Sequence, residues 1–218
     1  MLGEQMEVSE LLHRYGLLYS EELGIDVNNE PFKWFIASIL FGARISANIA
    51  KNTYKVYNEN GLISPEKIAA STKQELVIIH GRGGYTRYDE ITAEYIIGIT
   101  RKLLKEFNGD IKKIDEISQN PNDLEKNLQE FRGIGPVTTK IFLRELRGIW
   151  KNADPEPTSV EIQAAKELGL ISSEKNALKK LKKYWCKNKM DSYDFRNFET
   201  ALVRYGLKLH KGKTEITD

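Results

Sequence analysis

The chain has 218 residues, 40% of them apolar, a formal net charge of +2 and one cysteine, Cys186. This length suits one domain or two small lobes around a sizeable core. A single cysteine excludes a disulfide scaffold and a four-cysteine iron–sulfur cluster held by this chain alone, and no run approaches the roughly 18 consecutive apolar residues of a membrane span.

Apolar residues recur with the period of a helix almost throughout, and no strand-like alternation persists. Val8, Leu11, Leu12, Tyr15, Leu18 and Tyr19 predict a first amphipathic helix, followed by a turn from Gly24 to Asn29. Glu30 to Gly42 (EPFKWFIASILFG) has Pro31 at its start and is apolar nearly all round, as expected of a helix buried in the middle of a bundle. A third helix over Ile45 to Tyr57 is closed by Asn60-Gly61, a short one starts at Ser64-Pro65-Glu66, and another runs from Thr72 to Ile79 and ends at Gly81. A glycine-rich loop follows, His80 to Glu90 (HGRGGYTRYDE). Beyond it come a long helix from Ile91 to Phe107, a short one from Ile111 to Ile117 and one opened by Pro121. Asp89 and Glu90 would cap the long helix, and His80, without a ligand partner at usable spacing, reads as structural with no metal site. After a second stretch of helix, Gly148 to Pro157 is a loop, Thr158 can cap SVEIQAAKELG, a lysine-rich helix follows, and Tyr193 to Leu209 forms the last helix before a polar tail.

The segment Leu128 to Leu146 (LQEFRGIGPVTTKIFLREL) holds a tight Gly133-Ile134-Gly135 turn between two helical runs. Pro136 fits the first position of the second helix, whose next amides, from Val137 and Thr138, point outward at a positive helix end suited to a phosphate oxygen. Glycines let a phosphate approach with no Cβ in the way. A plain interhelical turn would carry the same two glycines. Between Lys175 and Lys189 there are seven lysines and no acid. Lys179 and Lys182, with Lys180 and Lys183, form either a solvated face over Ala177, Leu178, Leu181 and Trp185 or a strip facing a phosphate backbone.

The string of apolar residue, Gly-Ile-Gly, Thr138 and apolar helix resembles the helix–hairpin–helix of the DNA glycosylases related to endonuclease III. Glu30 to Ala47 is similar to that family's Pro-Phe-x-x-Leu-Ile helix and the turn after it. His80 to Ile96 is similar to its Gly-Tyr loop, and Ala164 to Leu170 (AAKELGL) to its Arg-Leu-Gly-Leu helix end. The resemblance spans about residues 31 to 206. TKIFLREL with Trp150, and GGYTRYDE, resemble a branch without the iron–sulfur cluster. It implies an all-α, two-lobed fold of the endonuclease III type. A middle lobe would span 30–136, 1–29 with 137–218 would form the second lobe, and a cleft between them would take an extruded base.

The resemblance also assigns residues, with departures. Bifunctional members carry a nucleophilic lysine two residues after the second hairpin glycine; here that position is Val137, so the usual Schiff-base route is absent. Lys140, one turn on, is a helix-surface lysine or a displaced nucleophile. The family's aspartate starts the helix that ends in Leu-Gly-Leu, and counting back from Leu168 puts Thr158 there, a hydroxyl that cannot replace a carboxylate. Counting forward from Gly148 lands on Pro155, between Asp154 and Glu156, which are either a relocated carboxylate or solvated loop acids. Arg44 sits where relatives insert a polar side chain into the duplex; a helix-terminal surface arginine is the alternative. Tyr85 and Arg87 belong to the loop whose aromatic would wedge into the vacated stack, with Tyr88 expected as the ring that anchors the loop to the core.

The expected function is a monofunctional or weakly bifunctional glycosylase of base-excision repair. It would work as a cytoplasmic monomer without a cofactor, nucleoid-associated if prokaryotic, on duplex DNA with a damaged base or abasic site. The rivals are a non-catalytic DNA-binding protein of the same fold and a helical protein–protein scaffold.

Overall fold

The computed structural model describes residues 6–214, with side chains for residues 6–210. Among them there are thirteen α-helices and no strand: α1 (Val8–Tyr15), α2 (Tyr19–Glu22), α3 (Pro31–Gly42), α4 (Ala47–Glu59), α5 (Pro65–Ala70), α6 (Lys73–Arg82), α7 (Asp89–Phe107), α8 (Lys112–Ile117), α9 (Pro121–Gln129), α10 (Pro136–Leu146), α11 (Ser159–Glu167), α12 (Ala177–Lys187) and α13 (Phe195–Thr214). The all-α expectation holds. Residues 215–218, the end of the expected polar tail, lie outside the described residues.

The helices form two compact units, one running from Leu23 to Pro155 and the other joining the residues up to Glu22 with those from Glu156 on. The division differs from the expected one at 30 and 136. The second hairpin helix and the loop after it belong to the middle unit, because its contacts lie there. The Trp34 indole donates to the Phe142 carbonyl at 3.0 Å, and Phe35 meets Phe142 edge-on at 5.0 Å. Phe142 in turn meets Trp150 edge-on at 5.3 Å.

In the middle unit α3 is the axis. Trp34, Phe35, Ile36, Ala37 and Leu40 are all essentially inaccessible, which is why the helix reads as apolar all round. Its C-terminal end lies against the start of α10 so tightly that a Cβ on Gly42 would stand 2.1 Å from the Thr138 hydroxyl oxygen. Side chains cap the helix starts at Ser46, Ser64 and Thr72, the last a full capping box with Glu75.

The other unit is built on α13, which packs on α1, α11 and α12 around Leu11, Leu12, Ala164, Ala165, Trp185, Phe198 and Leu202. Gly206 lets α13 approach α11, since a Cβ there would lie 2.6 Å from the Val160 carbonyl oxygen. The expected first helix stops at Tyr15 rather than running to Tyr19. The Gly16 amide closes onto the Leu12 carbonyl at 2.7 Å, and the Gly16 carbonyl accepts from the Asn197 amide at 2.8 Å.

His80 lies inside α6, which runs to Arg82 rather than ending at Gly81. The ring is fully buried between Tyr57 and Tyr85. Its Nε2 pairs with the Tyr57 hydroxyl at 2.8 Å and its Nδ1 with the Asp89 carbonyl at 3.0 Å, a set that suits a neutral ring with the proton on Nδ1. Burial pushes the imidazole down to about 4, against a smaller opposing pull from the Asp89 carbonyl. The folded form therefore resists a proton that the unfolded chain takes up below 6.5. Stability is complete above pH 6.5 and should fall by on the order of 3 kcal/mol as pH drops toward 4. Urea midpoints measured across that window for wild type and His80→Gln should show the steeper wild-type decline; parallel curves would mean the ring is not held neutral.

Candidate nucleic-acid interface

The hairpin forms as expected from its residues. Gly133 has φ +95°, and a Cβ there would lie 2.5 Å from the Tyr95 ring, so this glycine is required by both backbone and packing. Gly135 is different. It has an extended conformation as N-cap of α10, with no side-chain cap, and a Cβ there would meet nothing within 4 Å. Pro136 is at the first helical position, and Val137 is 59% exposed. The start of α10 thus presents backbone amides across open space. The Thr138 side chain is buried against Gly42, so only its amide remains for a ligand, and Lys140 is half-buried further along the helix.

Close contacts draw two further loops to the same side of this unit. The Gly42–Thr138 approach sets the exposed Arg44 turn beside the hairpin. In the glycine loop, Gly83 packs on Thr53 so closely that a Cβ would lie 2.4 Å from the Thr53 Cα, and Gly84 sits over Ile49 in the first turn of α4, just past Arg44. The hairpin turn itself rests on Tyr95 of α7, the helix that the glycine loop begins.

Within the glycine loop the two tyrosines are placed the reverse of what was expected, Tyr85 buried and Tyr88 exposed. Tyr85 is only 2% exposed. Its hydroxyl pairs with Thr92 at 2.7 Å, its amide donates to the His80 carbonyl, and burial raises its phenol above the ordinary value. It is the anchor, and its side chain cannot reach a duplex. Tyr88 is 55% exposed, with the Arg87 guanidinium 5.0 Å above its ring and bonded to its hydroxyl. Tyr88 also sits at φ 64°, a left-handed conformation that a bulky side chain rarely adopts and that stores about 1–3 kcal/mol. It is the N-cap of α7, and Asp89 and Glu90 are the acids expected in the first turn, with Asp89 Oδ1 accepting the Glu90 amide at 3.0 Å.

The loop after α10 is clamped by residues that sequence spacing did not single out. Buried Asp115, near the end of α8, accepts the Lys151 and Asn152 amides at 3.0 and 2.9 Å, and the Asn152 side chain donates to the Asp115 and Ser118 carbonyls. Arg147, almost wholly buried, pairs with the Asp154 carboxylate and donates to the Pro155 carbonyl at 2.7 Å. Asp154 keeps 38% of its side chain exposed, but its charge is met by a guanidinium. A buried arginine between an apolar helix and a glycine could have signalled this pairing, but nothing local names its partner.

In the other unit, Glu156 is exposed. Thr158 is the expected N-cap of α11, in a capping box whose Glu161 carboxylate lies 2.6 Å from both the Thr158 amide and its hydroxyl. Thr158 thus brings a carboxylate, that of buried Glu161, to the start of the helix where the resemblance calls for an aspartate. On α12, Leu178, Leu181 and Trp185 face inward as expected; Lys179 and Lys183 are exposed, Lys182 is half-buried and Lys180 bonds Ser173.

Among solved structures, the chain is similar to the 3-methyladenine DNA glycosylase MagIII of H. pylori with 1,N6-ethenoadenine bound, with a TM-score of 0.57 over 95% of this chain and 99% of that one at 14% identity. No family model and no curated protein matches the chain. At that identity it is the architecture that is shared: the chain has the all-α fold of that glycosylase.

Proposed function

We propose that this protein binds duplex DNA and excises a damaged base by cleaving its N-glycosidic bond, without a covalent enzyme–sugar intermediate. The observation that carries the reading is the hairpin. An uncapped helix start, open space above Gly135 and an exposed Val137 form a backbone surface for a phosphate, on the fold of a glycosylase. Val137 has no amine to attack the sugar. Departure of the base leaves positive charge on the deoxyribose, which a carboxylate stabilises. Asp154 is engaged by Arg147, whereas Glu156 is exposed and makes no ion pair among the described residues, so we assign the role to Glu156. The capping box that holds Glu161 on Thr158 favours a second reading, a DNA-binding protein of this fold without chemistry, because that carboxylate is turned to helix capping.

Duplexes with single damaged bases, assayed for free base and, after alkali, for strand breaks, test both readings. Gly135→Leu should weaken binding to all sequences about equally with an unchanged fold, since phosphate contacts carry no sequence information. Lys140→Gln should keep base release and Glu156→Gln should lose it by about a hundredfold or more, the usual scale for one such group. Release that persists in Glu156→Gln refutes that assignment, and binding without release by wild type selects the second reading.

The exposed ring at a strained backbone position assigns the wedge to Tyr88. Tyr88→Gly relieves the left-handed conformation, so the melting temperature should hold or rise while extrusion fails, read by the fluorescence of 2-aminopurine opposite or beside the lesion. Tyr85→Phe should instead lower stability by about 1 kcal/mol through its lost bond to Thr92 and leave extrusion intact. Normal extrusion by Tyr88→Gly would return the loop to a scaffold role.

A further inference from the structure

A groove runs along α7 on the flank of the hairpin. Glu94, Gly98 and Arg101 form its floor, Thr72 and Lys73 at the start of α6 one wall, and Arg132 of the hairpin turn the other; it encloses about 440 Å³. Gly98 lies in the middle of a 19-residue helix, where glycine is the poorest residue short of proline. Packing does not explain it. A Cβ there would meet nothing within 4 Å and the backbone is not left-handed, in contrast to Gly42 and Gly83, which neighbouring atoms hold bare. What the missing side chain does is keep the floor low between Arg101 and Arg132.

Charge gives the groove its sign. Lys73, Arg101 and Arg132 line it against one carboxylate, Glu94. The ion pairs that two of them make, Lys73 with Glu90 at 3.0 Å and Arg132 with Glu94 at 3.5 Å, are solvent-exposed and exchange for a phosphate with little loss. Arg101 donates its Nε–H to the Ala69 carbonyl at 3.3 Å, which seats the guanidinium at the groove's edge. Arg132 lies over the Tyr95 ring at 5.3 Å and directly precedes Gly133, so groove and hairpin are one continuous surface.

We propose that the groove takes the sugar–phosphate backbone of the same duplex that the hairpin holds. Gly98 lets a strand lie against the helix, while Lys73, Arg101 and Arg132 neutralise its phosphates. The inference rests on the hairpin as a DNA-binding element and extends the footprint along α7, away from the glycine loop. Anisotropy titrations with a duplex of about twenty base pairs, two helical turns, over a range of salt test it. Lys73→Gln and Arg101→Gln should each flatten the log–log salt slope by about 0.9. Gly98→Leu should raise the melting temperature, because leucine is the better helix former and has room, yet bind about tenfold more weakly, the scale of one or two phosphate contacts. A more stable variant that binds worse excludes misfolding as the cause. If Gly135→Leu weakens binding while the three groove variants keep wild-type affinity and slope, the groove proposal is overturned and the hairpin stands. If wild type binds no duplex, both fall.

Discussion

The middle unit depends on how closely α3 can lie against α10. Two contacts set that distance: the Trp34 indole on the Phe142 carbonyl, deep in the core, and the bare Cα of Gly42 against Thr138 at the mouth of the hairpin. The first satisfies a buried donor that would otherwise carry a desolvation penalty of about 1–3 kcal/mol. The second admits no side chain at all. Together they make the hairpin a fixture of the core rather than a mobile turn. That matters because a backbone amide surface for an anion works only if its amides are already aimed when the anion arrives.

The glycine loop shows the same division between a buried root and a presented tip. Tyr57, His80, Tyr85 and Thr92 form a buried chain of hydrogen bonds and ring contacts beneath it. In so dry a setting each member is satisfied only while the others stay, and the imidazole stays neutral. This rigid root holds Tyr88 in a backbone conformation it would not adopt alone. Strain is stored at the one aromatic ring of the loop that faces solvent.

Net charge says little about this surface. A value of +2 hides an uneven placement, with the arginines and lysines of α7, the hairpin turn and α12 on outward faces. Two other arginines, Arg144 and Arg147, are taken inside. For Arg147 the structural partners are Asp154 and the Pro155 carbonyl, and Asp115 grips the same loop from the other end. The loop is therefore held by a guanidinium and two carboxylates, one of which, Asp115, comes from another helix.

Much of the protein was legible in its sequence because the signals are local. Helical periodicity placed nearly every helix. A wholly apolar run marked α3 as the buried one, Thr158 announced its cap, and Gly-Ile-Gly-Pro marked the hairpin and the absent amine at Val137. Each of these properties is decided within one or two turns of chain by backbone hydrogen bonding and side-chain spacing. The tertiary structure decided the rest. Tyr85 and Tyr88 are three residues apart in one loop, and which of them is buried depends on Tyr57 and Thr92, residues on two other helices. The ion pair of Arg147, the grip of Asp115 and the boundary at Pro155 rather than at 136 all come from partners that no spacing rule names. The empty space above Gly98 is likewise set by the helices around it and not by its neighbours in the chain. Burial and pairing are properties of what surrounds a residue, and in a helical protein those surroundings come from helices distant in the chain.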